Sequence, residues 1–296
     1  MDSESFAGNM NNHSEIMKLI QVPFSCKGKD LSNTDFSKSD LTGVDFSDSK
    51  LIRANFSHCN LSGCNFDGCN LQNANFSNVH MSGAKMIIAE ISRIPLENVK
   101  YPCFRNTDLK GANFSFAKIE RADFVDADLG NCILDNVFVR DCEFGRAKLS
   151  GAVISESDIQ DCEFSETNCK AVVFIKSNVS SSSFSGTDFT GAHFENSEFH
   201  KNIFVNSILY QTELVSMAFS KCDFTGCQAV ESIFRNCRLS DIVFDNAVLE
   251  QSQWNECKVV DSSFRCVVID KVTMRGSFKR TDFRGASGQF IIGDSL

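Results

Sequence analysis

The sequence predicts a solenoid in which each coil contains four repeats of five residues. Three observations support this prediction: an apolar residue at every fifth position, a small residue two positions before it, and the same chemistry every twenty residues. In the stretch "LSGCNFDGCNLQNANFSNVHM" the large apolar residues are Leu61, Phe66, Leu71, Phe76 and Met81. A period of five matches neither the 3.6-residue period of an α-helix nor the two-residue alternation of a strand.

The five-residue period covers nearly the whole chain. Every fifth residue is apolar from Leu31 to Leu96, the register then slips by three residues, and the period resumes from Phe104 to Met274. A deletion of one residue then leads to Phe278 and Phe283. We call this apolar residue the centre of a repeat; the residue directly before the centre is usually Asp or Asn. A period of this constancy indicates a repeat architecture.

Residues twenty positions apart keep the same identity. One series of centres consists only of phenylalanine: Phe104, Phe124, Phe144, Phe164, Phe184, Phe204, Phe224, Phe244 and Phe264. Identity at this spacing implies that residues twenty apart are spatial neighbours, as in the stacked coils of a solenoid. Four repeats then close one coil, which gives the coil a square cross-section.

The order small residue, Asp or Asn, large apolar residue, as in Ala54, Asn55 and Phe56, resembles the A(D/N)LXX pattern of the pentapeptide-repeat family. This resemblance implies an all-β fold, the right-handed quadrilateral parallel β-helix, in which the centre and the small residue both point inward. Coils would stack at the strand spacing of ~4.8 Å, so the chain would form about 13 coils and a rod roughly 60 Å long.

The extent of the repeats divides the chain into three segments. Residues 1–25 are predicted to form a partly disordered N-terminal segment, with a short capping helix from Ser14 to Ile20. The β-helix is predicted over residues 26–283, with a small loop or bulge at the register slip, residues 95–103. Residues 284–296 are predicted to form a C-terminal tail or cap. Caps are expected because a terminal coil exposes unpaired strand edges and core.

The chain contains 14 cysteines, and most of them occupy the small position of a repeat. These are Cys59, Cys64, Cys69, Cys132, Cys142, Cys162, Cys222, Cys227, Cys237 and Cys257. At this position Cys interchanges with Ala, Ser, Thr and Val, as a small buried residue would. None forms a C-x-x-C pair, so we predict neither a metal site nor a redox site. Free cysteines indicate a reducing compartment, and we predict a cytoplasmic location.

We predict no catalytic site and no cofactor. The sequence contains no nucleophile elbow, zinc-protease motif or phosphate-binding loop. The segment "HFENSEFH", from His193 to His200, looks like a metal motif, but in this fold it crosses a corner of the coil. Because the interior is filled, function is expected to lie in outward-facing side chains.

Two outward-facing surfaces are candidate interaction sites. The acidic strip consists of Asp123, Asp141, Glu143, Asp161 and Glu163. The apolar column consists of Ile133, Val153 and Val173, at a position where Asp or Asn is usual. A strip of carboxylates suits a basic partner, and an apolar column that faces solvent indicates a contact surface.

The predicted function is that of a non-catalytic interaction rod that binds a protein partner through its outer faces. A bacterial effector or effector domain, exported into a host cell by a non-Sec route, is one form of this function. The alternative is a DNA mimic that binds DNA gyrase or topoisomerase IV, as the fluoroquinolone-resistance members of the family imply. The net charge of −9 argues against direct nucleic-acid binding. No apolar run of about 18 residues indicates a membrane span. The sequence leaves open whether the chain forms a homodimer.

Overall fold

The computed structural model describes residues 25–91 and 102–293, and the regular structure of these residues is entirely β. As predicted, the fold is an all-β parallel solenoid of the right-handed β-helix class. The strands are β1 (Glu90–Ile91), β2 (Lys118–Glu120), β3 (Ile133–Asp135), β4 (Phe138–Arg140), β5 (Val153–Ser155), β6 (Asp158–Gln160), β7 (Val173–Ile175), β8 (Asn178–Ser180), β9 (His193–Glu195), β10 (Glu198–His200), β11 (Glu213–Val215), β12 (Ala218–Ser220), β13 (Ile233–Arg235), β14 (Arg238–Ser240), β15 (Gln253–Val260), β16 (Val272–Lys279) and β17 (Phe290–Gly293).

The chain divides into two compact units, Met1–Phe138 and Val139–Leu296. In the second unit, three-residue strands pair in parallel with the strand one coil later, so that Val153 pairs with Val173. In the first unit, successive coils pair mainly through isolated parallel bridges, such as the one between Asn55 and Asn75. The register of twenty residues is the same in both units, as the sequence predicts.

The number of coils differs from the prediction. The structure has about eight turns of paired strands, fewer than the predicted number of about 13. The predicted number is the length of the repeat region divided by twenty residues, which counts coils with and without paired strands alike. In the described residues before Lys118, however, only β1 is a strand, and the other coils are joined by isolated bridges.

The phenylalanine centres form the core and stack directly on one another. In the second unit the ring centroids of Phe144 and Phe164 are 4.6 Å apart, and those of Phe164 and Phe184 are 4.8 Å apart. In the first unit the rings of Phe36 and Phe56 lie 4.8 Å apart. These separations fall within the range of favourable aromatic contact. The prediction that the centres point inward and pile up along the coils is therefore confirmed.

The small position does more than fill space, because its side chain often donates a hydrogen bond. The Cys64 thiol donates to the carbonyl oxygen of Leu41 at 3.1 Å, one coil earlier. In the second unit the Thr187 hydroxyl donates to the carbonyl oxygen of Phe164 at 2.6 Å. The Leu41 carbonyl already accepts the N–H of Val44 at 3.1 Å, so the thiol supplies a second donor, and a hydrogen bond of this kind contributes about 0.5–1.5 kcal/mol. The exchange of Cys, Ser and Thr at this position thus preserves a small donor as well as a small volume.

Each repeat ends at a corner, formed by the residue two positions after the centre. Asn33 has a φ of 61° and Gly43 a φ of 72°, both in the left-handed region. At such a corner the Thr34 N–H donates to the carbonyl oxygen of Leu31 at 3.3 Å, which closes the turn. Gly, Asn and Asp tolerate this backbone conformation best, which explains their recurrence in the repeats.

The register slip is an insertion within one coil of the first unit. The ring of Phe76 stacks on that of Phe104 at 4.9 Å, although the two residues are 28 positions apart instead of twenty. Eight additional residues therefore lie between these two centres. Residues 92–101, which contain most of the predicted loop at 95–103, lie outside the described residues.

The one-residue deletion near the C-terminal end is confirmed. The pairing of β15 with β16 shifts register after Asn255, which lies opposite Arg275, so that Cys257 lies opposite Gly276. Gly276 has a φ of 153°, and a Cβ atom there would lie 2.1 Å from the carbonyl oxygen of Cys257. Only glycine can therefore bring the two backbones this close.

The structure describes only some of the residues for which caps are predicted at the chain ends. The predicted capping helix from Ser14 to Ile20 lies outside the described residues. At the other end, β17 pairs in parallel with β16, with Phe290 opposite Val272. The β-structure therefore continues to Gly293, beyond the predicted end of the β-helix at residue 283.

Candidate interaction surfaces

One corner of the first unit carries exposed apolar side chains on two consecutive coils. Ile88 is 66% exposed and Phe116 is 56% exposed. They follow the centres Met86 and Phe114 by two residues, and the Ile88 N–H donates to the carbonyl oxygen of Ser115 at 3.0 Å. We call Ile88 and Phe116 the apolar corner.

The backbone of the apolar corner is strained. Ile88 and Phe116 have φ values of 60° and 61°. This conformation costs an ordinary L-residue roughly 1–2 kcal/mol, and a β-branched or bulky residue adopts it only rarely. Among the described non-glycine residues with positive φ, these two alone are large and apolar. Strain of this kind concentrates at functional sites.

Sequence reasoning missed the apolar corner because it considered only the position directly before each centre. The signal lies two positions after the centre, where Gly, Asn, Asp and charged residues recur and Ile88 and Phe116 do not fit. This signal requires knowledge of the backbone conformation at the corner, since a surface isoleucine alone is unremarkable by composition.

The three residues of the predicted apolar column belong to two different units. Ile133 is 42% exposed and lies in the first unit, on β3. Val153 is 36% exposed and lies in the second unit, where it pairs with the half-buried Val173. The structure thus brings Val153 and Val173 together on one wall. The next residue in that row is His193, so the apolar row ends there.

The predicted acidic strip consists of wall residues and corner residues, and arginines lie beside several of them. Glu143 and Glu163 are bridge partners on one wall of the second unit. Asp141 and Asp161 occupy corners, and Arg140 Nε lies 3.7 Å and 3.9 Å from their respective carboxylates. The local charge in the second unit is therefore mixed.

Asp123, the fifth residue of the acidic strip, lies in the first unit. Its carboxylate accepts a hydrogen bond from Arg105 Nε at 2.5 Å and another from the N–H of Val125 at 3.1 Å. The Asp123 side chain is only 20% exposed. Its carboxylate is thus engaged within the protein, and a basic partner would have to compete with Arg105.

A shallow groove of about 400 Å³ crosses three coils of the first unit. Its polar lining includes His58, Asn60 and His80, and His80 Nδ1 lies 3.2 Å from a carboxylate oxygen of Asp108. Cys59 also lines the groove, but burial raises the pKa of its thiol to about 11. A thiol that stays protonated at neutral pH is a poor nucleophile. The groove therefore offers polar contacts, and its thiol is not activated.

Other described titratable groups are buried thiols and a histidine that lies between two carboxylates. Burial raises the pKa of the Cys64 and Cys69 thiols to about 12. His193 lies between Glu195 and Glu213, at 3.5 Å and 3.2 Å. In the part of the chain that the structure describes, no group of three or more His, Cys, Asp or Glu side chains is arranged to hold a metal ion. The described residues also contain no helix with the length and apolarity needed to cross a membrane.

Solved structures with similar folds include pentapeptide-repeat proteins. HetL from the cyanobacterium Nostoc sp. strain PCC 7120, which is involved in heterocyst differentiation, is 15% identical; the alignment covers 83% of this chain and 96% of HetL, with a TM-score of 0.30. QnrB1, a plasmid-mediated fluoroquinolone resistance protein, is 16% identical, with 68% and 84% coverage and a TM-score of 0.29. A pentapeptide repeat protein of the Arabidopsis thaliana thylakoid lumen is 27% identical, with 46% and 68% coverage and a TM-score of 0.20. No curated protein matches the chain by sequence.

Two family models match the repeats themselves. The model described as pentapeptide repeats matches repeatedly, at residues 30–68, 49–86, 104–124, 122–161, 154–191, 162–200 and 177–214. The model described as a pentapeptide repeat region matches residues 197–274. Together they cover well over half of the sequence, with a break around the insertion in the first unit. The chain therefore belongs to the pentapeptide-repeat family.

Proposed function

We propose that the chain is a non-catalytic interaction protein that binds a protein partner through its outer side chains, with the apolar corner as the main contact. The observation that carries this proposal is the exposure of Ile88 and Phe116 in a strained backbone conformation. Proteins of this family are generally structural or interaction proteins. Because the core side chains fill the coils, the outer side chains are the available recognition surface.

The shape of the apolar corner defines the kind of partner. The two side chains project from a convex corner on consecutive coils, so an apolar groove on the partner is the complementary surface. Full burial of an isoleucine or phenylalanine side chain contributes about 1.5–3 kcal/mol. Ile133 lies one coil after Phe114, whose N–H donates to the Ile133 carbonyl at 2.8 Å, and it extends the apolar surface on the adjoining wall.

The test begins with identification of the partner by a photo-cross-linking residue at position 116. The affinity of the purified partner is then measured for the double variant Ile88→Asn, Phe116→Asn. We expect at least about tenfold weaker binding, since two apolar contacts are lost. Asparagine suits the left-handed corner, so the variant keeps the fold.

The matched control is Lys201→Asn, a corner substitution in the second unit, where φ is 55°. It should leave the affinity within about twofold. Wild-type affinity in the Ile88, Phe116 double variant would contradict the proposal. The double variant Ile133→Asp, Val153→Asp, measured in the same assay, tests whether the apolar column contributes as well.

The finer aspects of this function stay predictions. All 14 cysteines are free thiols, which suits a reducing compartment, and we infer a cytoplasmic site of action. The DNA-mimic alternative predicts inhibition of supercoiling by purified gyrase at low micromolar protein. Ion pairs such as Arg265 with Asp245, at 2.5 Å, interrupt the outer negative charge that such mimicry would use.

A further inference from the structure

We propose that two copies of the chain form a dimer through one wall of the second unit, where opposite charges of the two copies face each other. This wall contains β10, β12 and β14, which pair in parallel and in register. We call Glu198, Lys201, Arg238 and Asp241 the charged wall. It is separate from the apolar corner, and the proposal does not depend on the function proposed for that corner.

Two coils carry opposite charges at the two ends of the same strand. Glu198 begins β10, and Lys201 follows its last residue. Arg238 begins β14, and Asp241 follows its last residue. Three residues of extended backbone span ~10 Å, so the two charges of a coil lie at opposite edges of the wall. The order is reversed between the two coils, because the acid comes first in one and the base comes first in the other.

The charges of this wall are not neutralised within the chain. All four residues of the charged wall are exposed. None of them forms an ion pair with another residue in the part of the chain that the structure describes. Elsewhere in the second unit, cations do reach a carboxylate one coil away, as Lys170 reaches Asp188 at 3.2 Å. The charged wall is therefore available to a charged surface from outside.

Like charges are also neighbours at both edges of the wall. Arg238 lies directly opposite Lys258 in the register of β14 and β15. Like charges at directly opposite positions destabilise strand pairing. At the other edge, Lys201 and Lys221 occupy the same corner of consecutive coils, each with a φ of 55°. A carboxylate supplied from outside at each edge would offset both repulsions.

A second copy of the chain supplies these carboxylates. If the two walls face each other across a twofold axis parallel to the stacking direction of the coils, each coil stays at its own level and the two ends of each strand are exchanged. Lys201 then faces Glu198 of the second copy, and Arg238 faces Asp241 of the second copy. Each pair occurs twice, as in any interface between identical surfaces. A shift of two coils would place Lys201 opposite Arg238, so the charges also fix the register.

The middle of the wall permits close approach. Between its charged ends lie the half-buried hydroxyl side chains Ser220 and Ser240, which are register partners. In the same row, His200 Nδ1 lies 2.7 Å from Ser220 Oγ. Because the wall is narrow and polar, we expect an interface below about 1,200 Å² and a dimer with a Kd of about 10–100 μM at low salt.

Sedimentation equilibrium of the full chain measures this Kd. Dimerisation should be at least about tenfold weaker at an ionic strength of about 0.5 M than at about 0.02 M. Asp241→Arg places like charges opposite each other twice and should weaken the dimer at least about tenfold. Addition of Arg238→Asp to this variant should return the Kd to within about threefold of the wild-type value. In an antiparallel arrangement Asp241 would face a lysine of the other copy, and the second substitution would not restore the dimer.

A mixing experiment shows that the charge-reversed chains still fold. The variant Glu198→Lys, Asp241→Lys has a wall of positive charge, and the variant Lys201→Glu, Arg238→Glu has a wall of negative charge. Each should be monomeric alone because like charges face each other. An equimolar mixture should form a heterodimer at least as tight as the wild-type dimer. Failure of the mixture to associate would overturn the proposal.

The matched control is Glu166→Arg, which makes the same kind of substitution at another exposed corner of the second unit, with a φ of 59°. It should leave the Kd within about twofold. A chain that stays monomeric up to about 1 mM at low salt would overturn the proposal. A dimer that Asp241→Arg leaves unchanged would do the same, because it would form through a different surface.

Discussion

The two units share one interior plan but build their corners differently. In residues 25–91, successive repeats close their corners with a hydrogen bond to the carbonyl of the centre, as from Ser39 to Phe36 at 3.2 Å and from Val44 to Leu41 at 3.1 Å. In the second unit such corners follow Phe144 and Leu149, whereas the strands β5 and β6 are followed by corners without this bond. The same core is thus compatible with two kinds of wall.

The residue before the centre contributes to the tight corners of the first unit. In the first unit the Asn55 side chain accepts the N–H of Ser57 at 3.1 Å, and Asn65 accepts that of Asp67 at 3.0 Å. Such local bonds favour tight turns over extended strands. On the wall of β5 and β7, the corresponding residues are Val153 and Val173, which cannot accept a hydrogen bond and favour extended backbone. The wall residue does not decide this alone, because Asn178 lies in strand β8, whereas Ile203 precedes a centre whose corner closes with the Ser207 N–H bonded to the Phe204 carbonyl at 3.1 Å. The comparison teaches that the same core accepts both kinds of corner.

If the two units have the same kind of interior, truncation of a central phenylalanine ring should lower the free energy of unfolding by a similar amount in each unit. Phe66→Ala and Phe184→Ala each remove a fully buried ring that stacks on its neighbours, at 5.1 Å from Phe46 and 4.8 Å from Phe164. We expect each to lower the free energy of unfolding by about 3–5 kcal/mol, measured by chemical denaturation. Asp188→Ala, on the wall, should cost far less. A large cost in only one unit would break the comparison.

The core was predictable from the sequence because its signal is periodic. Centres such as Phe164 and small residues such as Cys64 recur at fixed spacing, and the constraint of stacking leaves little alternative. The deletion before Phe278 was predictable for the same reason. The hydrogen bonds that Cys64 and Thr187 donate could not be predicted, because a thiol or hydroxyl at the small position is equally consistent with a side chain that only fills space.

The surface was less predictable because its meaning depends on geometry. The prediction of the acidic strip rests on the negative charge of each side chain. The positions of Arg140 and Arg105 beside these carboxylates depend on rotamers and on the register between coils, which the sequence does not show. The apolar corner depends on the φ values of Ile88 and Phe116, which the five-residue period does not reveal without the fold. Surface function therefore needed the structure, whereas the core did not.

Alkaline pH should lower the stability of the fold because it favours ionisation of the buried cysteines in the unfolded chain. Burial raises the pKa of the Cys64 thiol from 9.0 to about 12, so in the folded chain it stays protonated between these values while in the unfolded chain it ionises. Its contribution to stability is therefore complete below pH 9 and is lost as the pH rises toward 12, by about 3 kcal/mol near pH 11. Cys64→Ser keeps a donor but removes the titration. Its denaturation midpoint should fall less steeply with pH than that of the wild-type chain; equal slopes would contradict the assignment.

The asparagines before the centres should matter more at tight corners than in strands. Asn65→Ala removes the acceptor for the Asp67 N–H and should lower the free energy of unfolding by about 1 kcal/mol. Asn178→Ala alters the same position on the exposed edge of β8, in a strand-forming repeat, and should change stability by less than about 0.5 kcal/mol. Both are measured by urea denaturation. Equal effects would show that the hydrogen bond from the Asp67 N–H to the Asn65 side chain does not contribute to stability.

The smallest expected change is a gain in stability at the apolar corner. Ile88 adopts a left-handed conformation with its side chain 66% exposed, so Ile88→Asn relieves backbone strain and gives up little burial. We expect the free energy of unfolding to rise by about 0.5–1 kcal/mol. Lys201→Asn, at a polar corner of the second unit with a φ of 55°, should raise it by less, because lysine is not branched at Cβ and adopts this conformation more easily than isoleucine. If the strain at Ile88 is retained for binding, the Ile88→Asn variant should be more stable than the wild-type chain and should bind the partner more weakly. A loss of stability would instead show that Ile88 supports the fold.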